Sequence, residues 1–276
     1  MNKVPADLYL DLLKKALTFT LWPEPPVPIE TFNYRTNPML RWSVSTVAGL
    51  LQRKHLHIGR QRVVTAEERQ EGRIWPGYAH TMIGLKRLDN IQSCVETVLR
   101  EGVEGDLIET GVWRGGSGIL MRGVLAAHGV EDRTVYLADS FEGLPKADPQ
   151  KYPADSGDEH HTEVYLAVSQ EEVEDNFRKY GLLDDRVAFL KGWFKDTLPE
   201  APIRKLSILR LDGDMYGSTM DVLGNLYSKL SPGGFCIIDD YALPGCKAAV
   251  DDFRRDERID AELKTVDWTG RFWRKP

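Results

Sequence analysis

The chain has 276 residues, 42% of them hydrophobic and 28% charged, with a formal charge of −6, a composition that suits one soluble globular core with an appended part. The basic residues are scattered rather than striped and no run of about 18 apolar residues occurs, so neither nucleic acid nor a membrane is an expected partner. Three cysteines without C-x-x-C spacing, Cys94, Cys236 and Cys246, and an N-terminus lacking a signal-peptide core fit reduced thiols in a cytoplasmic protein.

Leu8, Leu10, Leu12, Leu13 and Leu17 recur among polar positions between Ala6 and Thr20, which predicts a surface helix with one apolar face. The proline-rich LWPEPPVPIE that follows is an extended connector, Thr31 to Gln61 is mixed, and Thr65 to Glu71 offers a capped helical start. Residues 1–87 are thus expected to form a helical appendage, whose apolar residues between Ala6 and Leu51 are available for a homodimer contact. Residues 88–276 are expected to form the catalytic domain.

From Leu88 the pattern becomes regular. A helix over Leu88–Glu101, a strand over Asp106–Glu109, a helix over Ser117–His128 and a strand over Thr134–Ala138 lead into a long polar stretch. A helix over Gln170–Tyr180 follows, capped by Ser169 with Glu172 three residues on. Strands over Val187–Lys191, Leu206–Leu211 and Phe235–Ile238 come next, with crossover helices after Ser218 and Lys247. This alternation predicts a parallel sheet, and ELKTVDWTGRFWRK reads as two further strands about a Thr-Gly turn, an antiparallel hairpin. The expected fold is α/β and Rossmann-like, a seven-stranded, mostly parallel sheet closed by that hairpin. Such an ending suits a methyltransferase better than a dehydrogenase.

Ligands of open α/β sheets bind beyond the carboxyl ends of the strands, so residues there carry the chemistry. DLIETGVWRGGSGILM is strand, glycine turn and helix, a context in which a polar ligand rests on a helix N-terminus. Its spacing of Gly111, Gly115, Gly116 and Gly118 departs from G-x-G-x-x-G. Glu109 would repel phosphates while accepting from an ammonium or hydroxyl, which favours S-adenosylmethionine over NAD. Asp139, with Ser140 beside it, stands where an acid accepts from ribose hydroxyls. Trp193 or Phe194 is placed to pack on adenine, with Asp196 at its polar edge. Asp212, Asp239 and Asp240 are candidate ligands for one divalent cation, Mg²⁺ or a similar oxygen-seeking ion, leaving positions for two substrate oxygens. Asp214 is the candidate general base, with Asp212 and Asp214 open to exchanging roles. The stretch from Asp148 to Tyr165 is long enough to cover a site, and places His160, His161 and Tyr165 as residues facing an acceptor. An NAD(P)-dependent oxidoreductase on the same scaffold is the alternative, and a non-catalytic protein that retains a cofactor pocket is a third reading; intact acids at both strand ends argue against the latter.

The motifs ETGVWRGGS, ADSFEGLP, GWFKDTLP, LRLDGDMYGSTMD, LSPGG, IDDY and DWTG, in this order, resemble the macrocin O-methyltransferase family over roughly Arg73 to Arg274. The resemblance implies a class I fold, S-adenosylmethionine as methyl donor, Mg²⁺ at Asp212, Asp239 and Asp240, and Glu109, Gly111, Ser117 and Asp139 as cofactor positions. It implies a helical N-terminal lid in which Thr81 and Met82 touch the cofactor. It also implies a deoxysugar hydroxyl of a glycosylated antibiotic as acceptor, pointing to the 4-hydroxyl of noviose in an aminocoumarin.

Overall fold

In the computed structural model, described over residues 4–28, 38–56, 59–60 and 64–276, helix α1 spans Pro5–Leu17. Pro5 in the first turn costs no hydrogen bond, and Asp7 near the start and Lys14 and Lys15 near the end complement the helix dipole. Leu10, Leu13 and Leu17 are buried in the cluster that also holds Leu120 and Val124, so α1 is part of the main core rather than a detached appendage. Leu8 and Leu12, on its other face, are exposed. Strand β1 (Val27–Pro28) pairs antiparallel with β2 (Gly59–Arg60), and α2 (Pro38–Gln52) lies between them in sequence. Helix α3 (Ala66–Glu71) has the expected cap: the Thr65 hydroxyl accepts from the Glu68 N–H, and the Glu68 carboxylate accepts from the Thr65 N–H. Helix α4 begins at Leu85 and runs to Arg100, three residues before the expected start, so the expected division at residue 88 falls inside a helix.

The remaining elements are β3 (Asp106–Thr110), α5 (Gly116–Ala127), β4 (Val135–Asp139), α6 (Gln170–Lys179), β5 (Val187–Lys191), α7 (Phe194–Thr197), β6 (Leu206–Leu211), α8 (Tyr216–Leu226), β7 (Leu230–Ile238), α9 (Pro244–Asp256), β8 (Lys264–Thr265) and β9 (Arg271–Arg274). Their sheet order is β5-β4-β3-β6-β7-β9-β8. The first five strands are parallel and the last two antiparallel, the seven-stranded arrangement expected from the sequence. Chain order reverses between β3 and β6, and that switch point is where a ligand crevice opens.

Core packs on both faces of the sheet, with Ile91, Leu120 and Phe177 on one side and Leu209, Val222 and Val250 on the other. Every residue of β6 is therefore buried, which explains its continuous apolar run, and makes Arg210 within it conspicuous. Strand β7 starts five residues earlier than expected. Its pairing with β6 skips from Leu206↔Leu230 to Ile208↔Phe235, and Gly233 in the left-handed region (φ 83°) accommodates the bulge. Among the described residues no helix is long and apolar enough to cross a membrane.

Candidate active site

The ends of β3 and β6 meet so closely that a side chain at Gly111 is excluded. Its φ is 89°, and a Cβ there would lie 1.7 Å from the Asp212 carbonyl oxygen. The Asp212 N–H in turn donates to the Thr110 carbonyl at 2.8 Å. Three non-glycine residues with left-handed backbone, Trp113, Phe141 and Asp214, fall in the loops after β3, β4 and β6. Strain of this kind persists only where surrounding structure holds it, as at functional sites.

Two cavities open over these strand ends. The first, of about 300 Å³, is lined by Gly111, Asp139, Ser140, Trp193 and Phe194 among others. The second, of about 190 Å³, is lined by Thr81, Glu109, Ser117, His160, Asp239 and Asp240 among others. Met82, Val112, Trp113, Leu166, Asp212 and Asp214 belong to both walls, so the cavities adjoin at the acids of β6.

In the first cavity Asp139 accepts from the Val112 N–H at 2.6 Å and from the Phe141 N–H at 2.7 Å. Burial raises its pKa against those backbone bonds. Ser140 donates to the Gly143 carbonyl at 2.7 Å and fixes the same loop. Trp193 stands at the N-cap of α7, a short helix not expected from the sequence. Asp196 on α7 is exposed and lies outside both linings.

In the second cavity the Glu109 carboxylate accepts from Arg210 Nη1 at 2.7 Å through Oε1, while Oε2 is buried with no hydrogen-bond partner. Burial pushes its pKa to about 8, although the Arg210 charge opposes the shift. An orphaned acceptor on a buried acid suits an incoming cationic donor such as an ammonium group.

Asp212, Asp214 and Asp240 each offer one oxygen, all within 4.8 Å of one another. Burial raises all three, and repulsion adds to it, from Asp239 at Asp212, from Asp212 at Asp214 and from Asp214 and Asp212 at Asp240, bringing Asp214 to about 7 and Asp240 well above the carboxylate range. A crowd of hard oxygen donors that must hold protons when alone fits a divalent cation.

Asp239 is arranged differently from the expectation. One of its oxygens accepts from Arg87 and the other from Arg210, so both sides are taken by guanidinium groups and Asp214 is the third carboxylate of the cluster.

The stretch after β4 folds over this cavity in short 3₁₀ turns. Asp155 is buried and caps α8, accepting from the Tyr216 and Gly217 N–H groups at 2.6 and 3.1 Å. Asp158 accepts from both the backbone N–H and Nδ1 of His160, each at 2.9 Å. Burial lowers the His160 pKa, but Asp158 and Asp214 outweigh it and the net shift is upward. His160 alone of the three loop residues lines the cavity. His161 has a buried Nδ1 without a partner outside it. Tyr165 serves as a brace: its hydroxyl donates to the Pro76 carbonyl and its ring packs on Trp75 and Trp113.

Sequence reasoning missed the two arginines. Arg210 is fully buried and bonded to Glu109, Asp212 and Asp239. Arg87, on α4, bridges Asp239 and Asp267. A lone Arg in the apolar run LSILRL was the available signal for the first, since a buried charge demands partners. Arg87, on an ordinary amphipathic helix, carried no such signal.

A family model for the macrocin O-methyltransferases (TylF) matches residues 6–275. The chain is 50% identical over 275 residues to the 8-demethyl-8-(2,3-dimethoxy-alpha-L-rhamnosyl)-tetracenomycin-C 4'-O-methyltransferase of Streptomyces olivaceus, covering 99% of this chain and 95% of the relative. It is 49% identical to the demethyldecarbamoylnovobiocin O-methyltransferase of Streptomyces niveus, covering 98% and 94%. The solved structure of the O-methyltransferase NovP superposes with a TM-score of 0.83 at 48% identity, covering 98% of this chain and 99% of that one. These matches bear out the resemblance, and the oxidoreductase alternative finds no support in them.

Proposed function

The chain belongs to the macrocin O-methyltransferase family, an O-methyltransferase on a class I fold, and we propose that it transfers a methyl group from S-adenosylmethionine to a deoxysugar hydroxyl of a glycosylated natural product, with the help of a divalent cation. The observation that carries this reading is the junction of the two cavities at Met82, Asp212 and Asp214, which gives donor and acceptor a common wall of carboxylates.

Gly111, Asp139, Ser140 and Trp193 hold the adenosine, while Glu109, Ser117, Thr81 and Met82 surround the amino-acid end. S-adenosylmethionine supplies a methyl group already activated by its sulfonium. Asp212 and Asp240 would hold the cation, which when bound would supply Lewis acidity. Asp239 joins them only by exchanging a guanidinium for it. Asp214 would accept the proton of the sugar hydroxyl whose oxygen takes the sulfonium methyl, with S-adenosylhomocysteine as the leaving group. A carboxyl poised near 7 by burial and Asp212 is suited to that transfer. His160, oriented by Asp158, closes the acceptor side. Most of the rate is expected from positioning, on the order of 10⁵ in effective molarity.

The exposed apolar faces of α1 and α2, with Leu8, Leu12, Trp42 and Leu50, support a homodimer. The test is calorimetric titration with S-adenosylhomocysteine, with NAD⁺ in a parallel cell, followed by methyl transfer to demethyldecarbamoylnovobiocin and to the demethyl tetracenomycin glycoside with and without EDTA. Binding of S-adenosylhomocysteine alone and EDTA-sensitive turnover of either glycoside are expected. No binding, or turnover indifferent to EDTA, would sink the cofactor or the cation role respectively.

A further inference from the structure

The second cavity is too small for the acceptor just proposed. At about 190 Å³ it falls below the roughly 300–1,000 Å³ of pockets that enclose a whole drug-sized ligand. That volume has room for one sugar ring beside Asp212 and Asp240, which leaves the attached aglycone toward the mouth.

Two indoles stand in that wall. Trp75 and Trp268 both line the cavity, yet they are 45% and 44% exposed. Each is nonetheless fixed. The Trp75 ring stacks on Tyr165 at 5.4 Å and 16°, and Tyr165 is itself tied to the Pro76 carbonyl and braced by Arg114, which lies 5.4 Å over its ring. The Trp268 indole N–H donates to the Glu71 carbonyl at 2.9 Å, with the Arg73 guanidinium 5.7 Å from its ring centroid. A large aromatic that is half exposed and also held rigid loses little entropy on meeting a ligand, which is the condition for an efficient contact surface. The two come from distant parts of the chain, one from the segment before α4 and one from the turn between β8 and β9. That they line one cavity is therefore a product of the fold.

Resting on the sugar methyltransferase reading, we propose that Trp75 and Trp268 form a platform for the planar, apolar aglycone of the acceptor glycoside and so select acceptors by what the sugar is attached to. The acids within the cavity see the sugar; the indoles at its mouth see the aglycone.

The test compares kcat/KM for demethyldecarbamoylnovobiocin with that for the methyl glycoside of the same sugar, in the parent and in Trp75→Ala, Trp75→Phe, Trp268→Ala and Trp268→Phe, with S-adenosylhomocysteine affinity as the check of folding and of the cofactor side. A stacking contribution of the usual size predicts that each alanine variant lowers the glycoside-to-methyl-glycoside ratio about 3- to 10-fold. The phenylalanine variants recover most of that ratio, and the effect resides in KM. Parity of the two acceptors in the parent, or a ratio untouched by either alanine substitution, would overturn the platform while leaving the sugar reading intact. Binding of S-adenosylhomocysteine with no turnover of either acceptor would overturn the sugar reading and the platform with it.

Discussion

Arg210→Met removes the positive charge at the centre of the site. The guanidinium is fully buried and bonded to Glu109, Asp212 and Asp239. Deleting one partner of a buried ionic network leaves uncompensated charge and costs about 3–5 kcal/mol. For a chain of this length each kcal/mol moves the melting temperature by about 2 °C, so a fall of about 6–10 °C is expected. The pH dependence separates this cause from lost packing. Glu109 and Asp212 already have raised pKa values, through burial, with the Arg210 charge opposing the shift, and its loss raises them further. A carboxyl whose folded pKa exceeds its unfolded value stabilises the fold while protonated and loses that contribution as pH rises. The variant's deficit is thus smallest near pH 5 and largest near pH 8. Melting curves followed by circular dichroism in EDTA at pH 5, 6.5 and 8 measure it. A deficit of the same size at all three, or below about 2 °C, would refute the account of Arg210 as the counter-charge of the acids.

In the parent, the raised pKa of Asp214, about 7 through burial and repulsion by Asp212, makes the metal-free protein lose stability as pH climbs from about 4 through 7. Stabilisation by Mg²⁺ in differential scanning fluorimetry is therefore expected to grow from pH 6 to pH 8; a shift that shrinks over that range would contradict the cluster's role. Asp240→Asn is expected to lose that Mg²⁺-dependent shift and at least about 100-fold in kcat, while S-adenosylhomocysteine affinity measured by calorimetry stays within a few-fold.

The sheet was legible because β3 to β7 are short apolar runs bounded by turns, and the helices between them have caps that can be read directly, such as Ser169, whose hydroxyl accepts from the Glu172 N–H in the structure. The strand-end acids were legible for the same reason, since a carboxylate directly after a buried strand stands at the carboxyl edge of the sheet, where ligands bind. Long-range pairing was not. Nothing in the local pattern around Leu88 tells that Arg87 reaches Asp239 and Asp267, or that Asp155 in the loop after β4 caps a helix 61 residues on. Tyr165 and Asp196 show the converse limit. Both stand next to segments that line the cavities, but one is spent bracing Trp75 and Trp113 and the other faces solvent, outcomes fixed by side-chain direction rather than sequence position.

The electrostatics of the site tie these residues into one design. Among the described residues, Glu109, Asp212, Asp214, Asp239 and Asp240 face Arg87 and Arg210 as their buried counter-charges. Fully ionised they leave an excess of negative charge in a place where burial makes it costly. Alone, the protein meets that cost by holding protons, which is why Glu109, Asp212, Asp214 and Asp240 are shifted upward. Cationic ligands meet it without protons, and two features of the second cavity suit them: the Glu109 oxygen without a hydrogen-bond partner and the Asp212–Asp214–Asp240 cluster. Asp239 is pinned by both arginines and stands outside the three-carboxylate cluster. Under the proposed function this charge excess favours a sulfonium and a divalent cation side by side, and a cation at the cluster would lower the Asp214 pKa and let it ionise as a base.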